Sequence, residues 1–190
     1  ANVVKELVEN SIDAGATSVS IEIKKGGKGL IKVSDNGKGM SREDMPIALE
    51  RHATSKIREI EDLETTYTMG FRGEALASIS AISKTTLISK TKESNFGIKM
   101  VSRAGEIEEM EEVAANKGTT IIVEELFFNT PVRYKFLKKD QTETRAIKEW
   151  IQKAAIANLD ISFKFINDGK LVFQSNGDGK IEDIIGVDKG

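Results

Sequence analysis

Asp35-Asn36-Gly37-Lys38-Gly39-Met40 is the stretch on which the reading of this chain turns. Alone, an Asp-x-Gly-x-Gly string marks an ordinary turn. Its neighbours change that. Residues Leu30 to Ser34 read as a strand, so Asp35 is delivered to a fixed place at a sheet edge. Gly37 and Gly39 remove Cβ atoms where a flat group must approach the backbone closely. Upstream, Val4, Leu7, Val8 and Ile12 recur at helical spacing as far as Gly15, on a helix that also carries Glu6 and Asn10. Downstream stands Gly70-Phe71-Arg72-Gly73-Glu74, followed by a helical pattern over 73–81. In this order the three pieces read as one nucleotide site.

Each piece has its own chemistry. Glu6 and Asn10, four residues apart, share a helix face. The Asn side-chain oxygen suits Mg²⁺, a hard cation that prefers oxygen donors. A carboxylate one turn away can accept a proton from a water attacking a terminal phosphate. Spacing does not choose among Glu6, Glu9 and Asp13. The Asp35 carboxylate can accept a hydrogen bond from an exocyclic amine such as that of adenine. Gly70 to Gly73 precede the helix, so their N–H groups and its positive end form a ready anion site. Thr54-Ser55-Lys56 supplies hydroxyls and a cation on a poorly periodic connection, Ala53 to Met69, suited to a lid. Gly118-Thr119-Thr120 opens a strand whose hydroxyls can reinforce Asp35 through water. Neither a Walker loop nor a dinucleotide fingerprint is present.

The composition sets bounds. At 190 residues, 39% hydrophobic and 31% charged, the chain suits one α/β-sized domain or one plus the start of another. No run approaches the ~18 apolar residues of a membrane span, which reads as a soluble protein with no membrane partner. With no Cys and one His, disulfides and Cys-ligated zinc are excluded and a catalytic zinc site is disfavoured. The lack of Cys fits a reducing compartment, the cytoplasm or nucleoid of a bacterium or the nucleus of a eukaryote. The net charge of -2 hides segregation: Ile107 to Val113 is mostly Glu, whereas Pro131 to Lys153 holds seven Lys/Arg against three Asp/Glu. Both read as solvated faces, with a nucleic-acid surface weakly supported.

Further elements follow from the pattern. Strands are expected at Val19 to Ile23, Lys84 to Lys90, Phe96 to Arg103 and Thr119 to Glu125. Ser41 with Asp44 resembles a capping box for a helix near Glu43 to Arg51. A helix is expected over Thr144 to Leu159, then a hairpin of Ile161 to Ile166 and Lys170 to Gln174 about Asn167-Asp168-Gly169. Ser175 to Gly179 reads as a linker. The expected fold is α+β, a two-layer sandwich with helices on one face of a mixed, largely antiparallel sheet. Residues 1–179 form the nucleotide domain and 180–190 begin another; Ala1-Asn2-Val3-Val4-Lys5, entering mid-helix, reads as a trimmed start.

These motifs resemble the GHKL (Bergerat-type) ATPase superfamily. Glu6/Asn10, Asp35-x-Gly37-x-Gly39, Gly70-x-x-Gly73 and Gly118-Thr119 stand in its order. Within it the wording is similar to the MutL family of mismatch-repair proteins: Val4 to Thr17, the Asp35 motif, Arg51 to Ile57, Gly70 to Ile79 and Phe127 to Leu137. The resemblance implies an ATPase that closes a lid and dimerises on ATP, as homodimer or paralogue heterodimer. It implies work with a mismatch-recognition protein, downstream repair enzymes and DNA, the last mainly through regions outside this chain. It assigns Glu6 as general base and Asn10 as Mg²⁺ ligand. It places Asp35, Gly39, Met40 and Thr119 at the adenine. Thr54, Ser55 and Lys56, with Gly70, Phe71, Arg72, Gly73, Glu74, Ala75 and Leu76, would hold the phosphates.

By the same resemblance, a preceding segment and a following lysine-bearing domain lie outside the chain, so the chain alone is expected to bind nucleotide weakly, dimerise poorly and hydrolyse ATP hardly at all. The alternatives are a topoisomerase-like ATPase, a histidine kinase, disfavoured by Glu6, and a non-catalytic partner- or DNA-binding module.

Overall fold

A computed structural model describes residues 2–49, 69–127 and 139–180, with main chain alone over 69–74. Its strands form one eight-stranded sheet, β1 Ser18–Lys24, β2 Leu30–Asp35, β3 Lys84–Lys90, β4 Gly97–Arg103, β5 Glu106–Val113, β6 Gly118–Glu124, β7 Ser162–Asn167 and β8 Lys170–Gln174, in the order β5-β4-β3-β6-β2-β1-β7-β8. Every pairing is antiparallel except β1 with β7. The mixed, mostly antiparallel α+β sheet is the one expected.

Strand alternation decides which face is covered. Val19, Ile21 and Ile23 of β1 register with Asp35, Val33 and Ile31 of β2. Those pair in turn with Thr119, Ile121 and Val123 of β6. All point to the face that carries the core, because side chains alternate across a sheet with period two. Onto it pack helices α1 Asn2–Asp13, α3 Met69–Ala81 and α4 Asp140–Ala157, while the short α2 is Asp44–Ala48. Val4, Leu7 and Val8 from α1, Leu76 and Ile79 from α3, and Ile147 and Ile151 from α4 join the strand residues in one cluster.

Helix boundaries depart from the sequence expectation where distant contacts intervene. The α4 helix begins at Asp140 rather than Thr144. Its first residue is seated on the β1–β2 connection, where a Cβ on Gly26 would lie 2.7 Å from Asp140 Cα. Lys28 Nζ pairs with Asp140 at 3.0 Å, and Thr144 Oγ1 donates to the Asp140 carbonyl at 2.8 Å. The helix expected over 73–81 begins at Met69, so Gly70 and Gly73 lie inside it. The α2 helix stops at Ala48, and Ser41 Oγ accepts the Asp44 N–H at 3.3 Å, as the capping pattern predicts.

Two further differences concern the edges. The glutamate-rich stretch forms β5, an outer strand exposed along most of its length. Ala104 (φ 52) and Gly105 (φ 82) make the two-residue turn that returns the chain along β4. Lys99 with Glu111 and Arg103 with Glu108 then tie the strand down. Such charge discourages pairing of an open edge with another chain. Ser175 to Gly179, read as a linker, is docked instead. Ser175 is 4% exposed and exchanges hydrogen bonds with Phe163, and the Gly179 N–H donates to the Leu159 carbonyl. Residues 181–190 lie outside the described span, as do Phe128 to Lys138.

Candidate functional site

The inward face of the sheet is apolar except at one end. In the last inward row, Val19, Asp35, Thr119, Ser89 and Ile98 register across β1, β2, β6, β3 and β4. The next row is Ile21, Val33, Ile121, Leu87 and Met100. Three adjacent strands therefore end in Asp35, Thr119 and Ser89, where the rest of the face carries hydrocarbon. Polar groups cluster in a core-facing row only when something hydrogen-bonds them.

Asp35 is half-buried and held by three donors. Gly37 N–H donates to Oδ1 at 2.8 Å, Thr119 N–H to Oδ1 at 3.3 Å, and Ser11 Oγ to Oδ2 at 2.7 Å. A carboxylate offers about four lone-pair directions, so one acceptor position remains, on Oδ2. Thr119 Oγ1 lies 2.8 Å from Ser89 Oγ, which also accepts the Met40 N–H at 2.7 Å. The Asp35 loop is thus pinned to β3 as well as to β6.

The glycines are required by the chain's own packing. Gly39 (φ 73) would put a Cβ 2.1 Å from the Lys90 carbonyl oxygen, and a Cβ on Gly37 would meet Ala14 at 2.8 Å. Gly118 (φ 126) would put one 2.0 Å from the Asp35 carbonyl oxygen. The close approach is that of α1's end, β3 and β2, so the sequence's reason for Gly37 and Gly39, room for a flat group, is not the contact found there. Asn36 secures the same loop. Its Oδ1 accepts Thr17 N–H and Ser18 N–H at 2.8 and 3.0 Å, and its Nδ2 donates to Thr17 Oγ1 at 2.9 Å.

Glu6 and Asn10 are half-buried on α1, the helix that brings Ser11 to Asp35. Glu6 Oε2 has almost no solvent contact. Glu9 and Asp13, which spacing left as rivals, line a cleft of about 350 Å³ between α1 and α4 with Ile12, Trp150 and Lys153. None of the walls of that cleft is a predicted site residue.

At the α3 end, Ala75 is half-buried and Leu76 is 6% exposed within the core. Leu76 can therefore face an anion only through its main chain. Because α3 starts at Met69, its unpaired N–H groups are those of the first turn, Met69 to Arg72, rather than of a loop before the helix. The side chains of Gly70, Phe71, Arg72, Gly73 and Glu74, and all of Thr54, Ser55 and Lys56, lie outside the described residues. So does His52. Met40 is half-buried and Met45 fully buried. Among the described residues no group of three or more His, Cys, Asp or Glu could hold a metal.

Sequence reasoning missed Ser11, Asn36 and Ser89. Ser11 did leave a trace: it falls at the fourth position of the buried stripe Val4, Leu7, Val8, Ser11, where a hydroxyl is out of place. Ser89 sits likewise where alternation along Thr85, Leu87 and Ser89 calls for an inward residue.

A glycine-cradled acidic loop between a helix and a mostly antiparallel sheet defines the class. Residues 1–144 match the family described as histidine kinase-, DNA gyrase B-, and HSP90-like ATPase, and the chain belongs to that family. Within it, the chain is similar along nearly its whole length to MutL. It is 49% identical over 185 residues to the DNA mismatch repair protein MutL of Caldanaerobacter subterraneus subsp. tengcongensis, covering 97% of this chain and 31% of that protein. Against MutL of Clostridium botulinum (strain 657 / Type Ba4) the identity is 50%, over 97% of this chain and 28% of the relative. The chain thus spans under a third of these relatives' length.

Among solved structures, the Aquifex aeolicus MutL ATPase domain complexed with ADP superposes with a TM-score of 0.78 at 35% identity, over 98% of this chain and 66% of that one. The N-terminal domain of a DNA repair protein gives 0.82 at 34%, over 97% and 55%.

Proposed function

We propose that this chain binds ATP with Mg²⁺ and hydrolyses it, as the nucleotide switch of a MutL-type mismatch-repair protein. The observation that carries the reading is the Asp35 carboxylate, fixed by three donors with one acceptor position left. An exocyclic amine is the group that such a carboxylate recognises, and the charged acceptor makes the bond worth ~1.5–3 kcal/mol. Thr119, Gly39 and Met40 complete the base end of the site. The nucleotide seen with the Aquifex MutL ATPase domain supports the same reading.

Asn10 offers a neutral oxygen for Mg²⁺. One protein oxygen, with phosphates and water filling the rest of the shell, is the donor set this ion accepts, and the described residues provide no all-protein cage. Bound there, the ion would screen the charge of the terminal phosphates. Glu6, one turn away on α1, holds a carboxylate largely withdrawn from water and takes the proton of the attacking water. The first turn of α3 offers its N–H groups to the phosphates, together with Thr54, Ser55 and Lys56 and the segment Gly70 to Leu76.

In the whole protein, ATP closes the lid and drives dimerisation, and the dimer engages a mismatch-recognition protein, downstream repair enzymes and DNA. Its place would be the bacterial cytoplasm or nucleoid. The test is calorimetry with a non-hydrolysable ATP analogue and Mg²⁺, on this chain and on one extended at both ends to its relatives' length. Saturable binding by the extended protein, weaker in the chain alone, is expected. No heat of binding from either refutes the proposal.

A further inference from the structure

Ser89 occupies a position that the nucleotide reading does not use. It is 1% exposed on β3, in register with Thr119 of β6, with Asp35 next along the same row. Its hydroxyl has three partners. Met40 N–H donates to it at 2.7 Å, Thr119 Oγ1 lies at 2.8 Å, and the Gly118 carbonyl oxygen lies at 3.1 Å. A serine has one proton and two lone pairs. The Met40 amide takes a lone pair, so the single proton goes either to Thr119 or to Gly118. Thr119 is the nearer.

The direction of that proton decides what Thr119 presents to a ligand. With Ser89 donating, Thr119 Oγ1 has its lone pair engaged and its own proton free, so it acts as a donor towards the base edge, directly or through water. Asp35 beside it is acceptor-only. An acceptor next to a donor complements an amine beside a ring nitrogen that carries no hydrogen, the pattern of adenine. Guanine presents the reverse, a carbonyl beside a ring N–H. Without Ser89, the Thr119 hydroxyl can rotate and serve either base.

We infer that Ser89 is a positioning residue that fixes Thr119 as a hydrogen-bond donor and so sets the preference for adenine over guanine nucleotides. The inference rests on the ATP-binding reading above, and it adds the residue that enforces base choice.

The experiment compares ATP and GTP affinity by calorimetry with the non-hydrolysable analogues, in the extended protein and in Ser89→Ala, Ser89→Thr and Asp35→Ala. Ser89→Ala is expected to narrow the ATP:GTP affinity ratio about tenfold, the equivalent of one lost hydrogen bond, while Ser89→Thr, which keeps the hydroxyl, retains the ratio. A merely structural role weakens both nucleotides together and leaves the ratio in place. That result, or an unchanged ratio in Ser89→Ala, overturns the inference while leaving ATP binding intact. If Ser89→Ala does not fold, Ser89→Cys keeps the volume with a feeble donor and is read by the same ratio. Binding that survives Asp35→Ala undisturbed overturns the site reading itself, and the Ser89 inference with it.

Discussion

Ser11 Oγ donates to Asp35 Oδ2 at 2.7 Å, joining the buried face of α1 to the tip of β2 across 24 residues of sequence. Through this contact the helix carrying Glu6 and Asn10 and the strand carrying the base-gripping carboxylate move as one body. Ser11→Ala removes the donor and leaves Asp35 half-buried with two. A hydrogen bond to a charged acceptor contributes ~1.5–3 kcal/mol, and water reaching the freed oxygen recovers part of it. A loss of about 1–2 kcal/mol in unfolding free energy is expected from denaturant titration. No change would mean that the contact contributes nothing in solution.

Asp35→Ala removes the acceptor for the base amine together with the anchor of three donors. Nucleotide binding is expected to fall by at least about a hundredfold, since both a charged hydrogen bond and the loop geometry are lost. Asp35→Asn keeps the shape and is expected to bind with intermediate affinity. Calorimetry at saturating Mg²⁺ checks both, and wild-type affinity in the alanine variant would place the base elsewhere.

Glu6→Ala takes away the proposed proton acceptor but touches neither Asp35 nor Thr119. In the extended protein, ATP affinity should stay within a few-fold while turnover drops by about 10²–10⁴. Glu9→Ala, at the α1–α4 cleft, should leave turnover near wild type. Phosphate release under single-turnover conditions separates the two, and the reverse pattern would hand the base role to Glu9.

Gly39→Ala meets backbone, not a yielding side chain. Its Cβ would lie 2.1 Å from the Lys90 carbonyl oxygen at a φ of 73, so the loop must part from β3. The expected cost is about 2–3 kcal/mol from strain and lost hydrogen bonds, seen as a lower thermal midpoint and weaker nucleotide binding together. Gly169→Ala, at a similar φ of 82 with open space around its Cβ, should cost about 1–2 kcal/mol and leave binding untouched. Equal losses of binding in the two would show that backbone strain alone explains the effect.

Leu7→Ala opens the core beneath α1, where Leu7 is fully buried. A loss of about 2–5 kcal/mol in stability is expected. Because α1 carries both Glu6 and Asn10, turnover measured well below the melting transition should also fall. Unaltered turnover in a destabilised variant would show that the helix keeps its place without this side chain.

Much of this was legible along the chain. The alternation of Val19, Ile21 and Ile23, the helical stripe of Val4, Leu7 and Val8, and the hairpin at Asp168-Gly169 each state a periodicity within a few residues of one another. Asp35, between a buried strand and two glycines, announced itself for the same reason. Ser11 and Ser89 did not, because a serine inside a helix or strand carries no local signature of its partner. Asn36 looked like a turn residue, and its clamp on Thr17 and Ser18 exists only once β1 and β2 lie side by side.

The sequence by itself determined the order of the elements, the face each strand turns inward and the identity of the acidic glycine loop, since these follow from short-range spacing and backbone sterics. Tertiary structure decided the rest. It extended α4 to Asp140 against Gly26, made a strand of the glutamates 106–113, and gathered Ser11, Asp35, Thr119 and Ser89 at one end of the sheet. The physical reason is common to all of them. Hydrogen bonds and close contacts between segments tens of residues apart depend on strand register and helix docking, and no window of neighbouring residues contains that information.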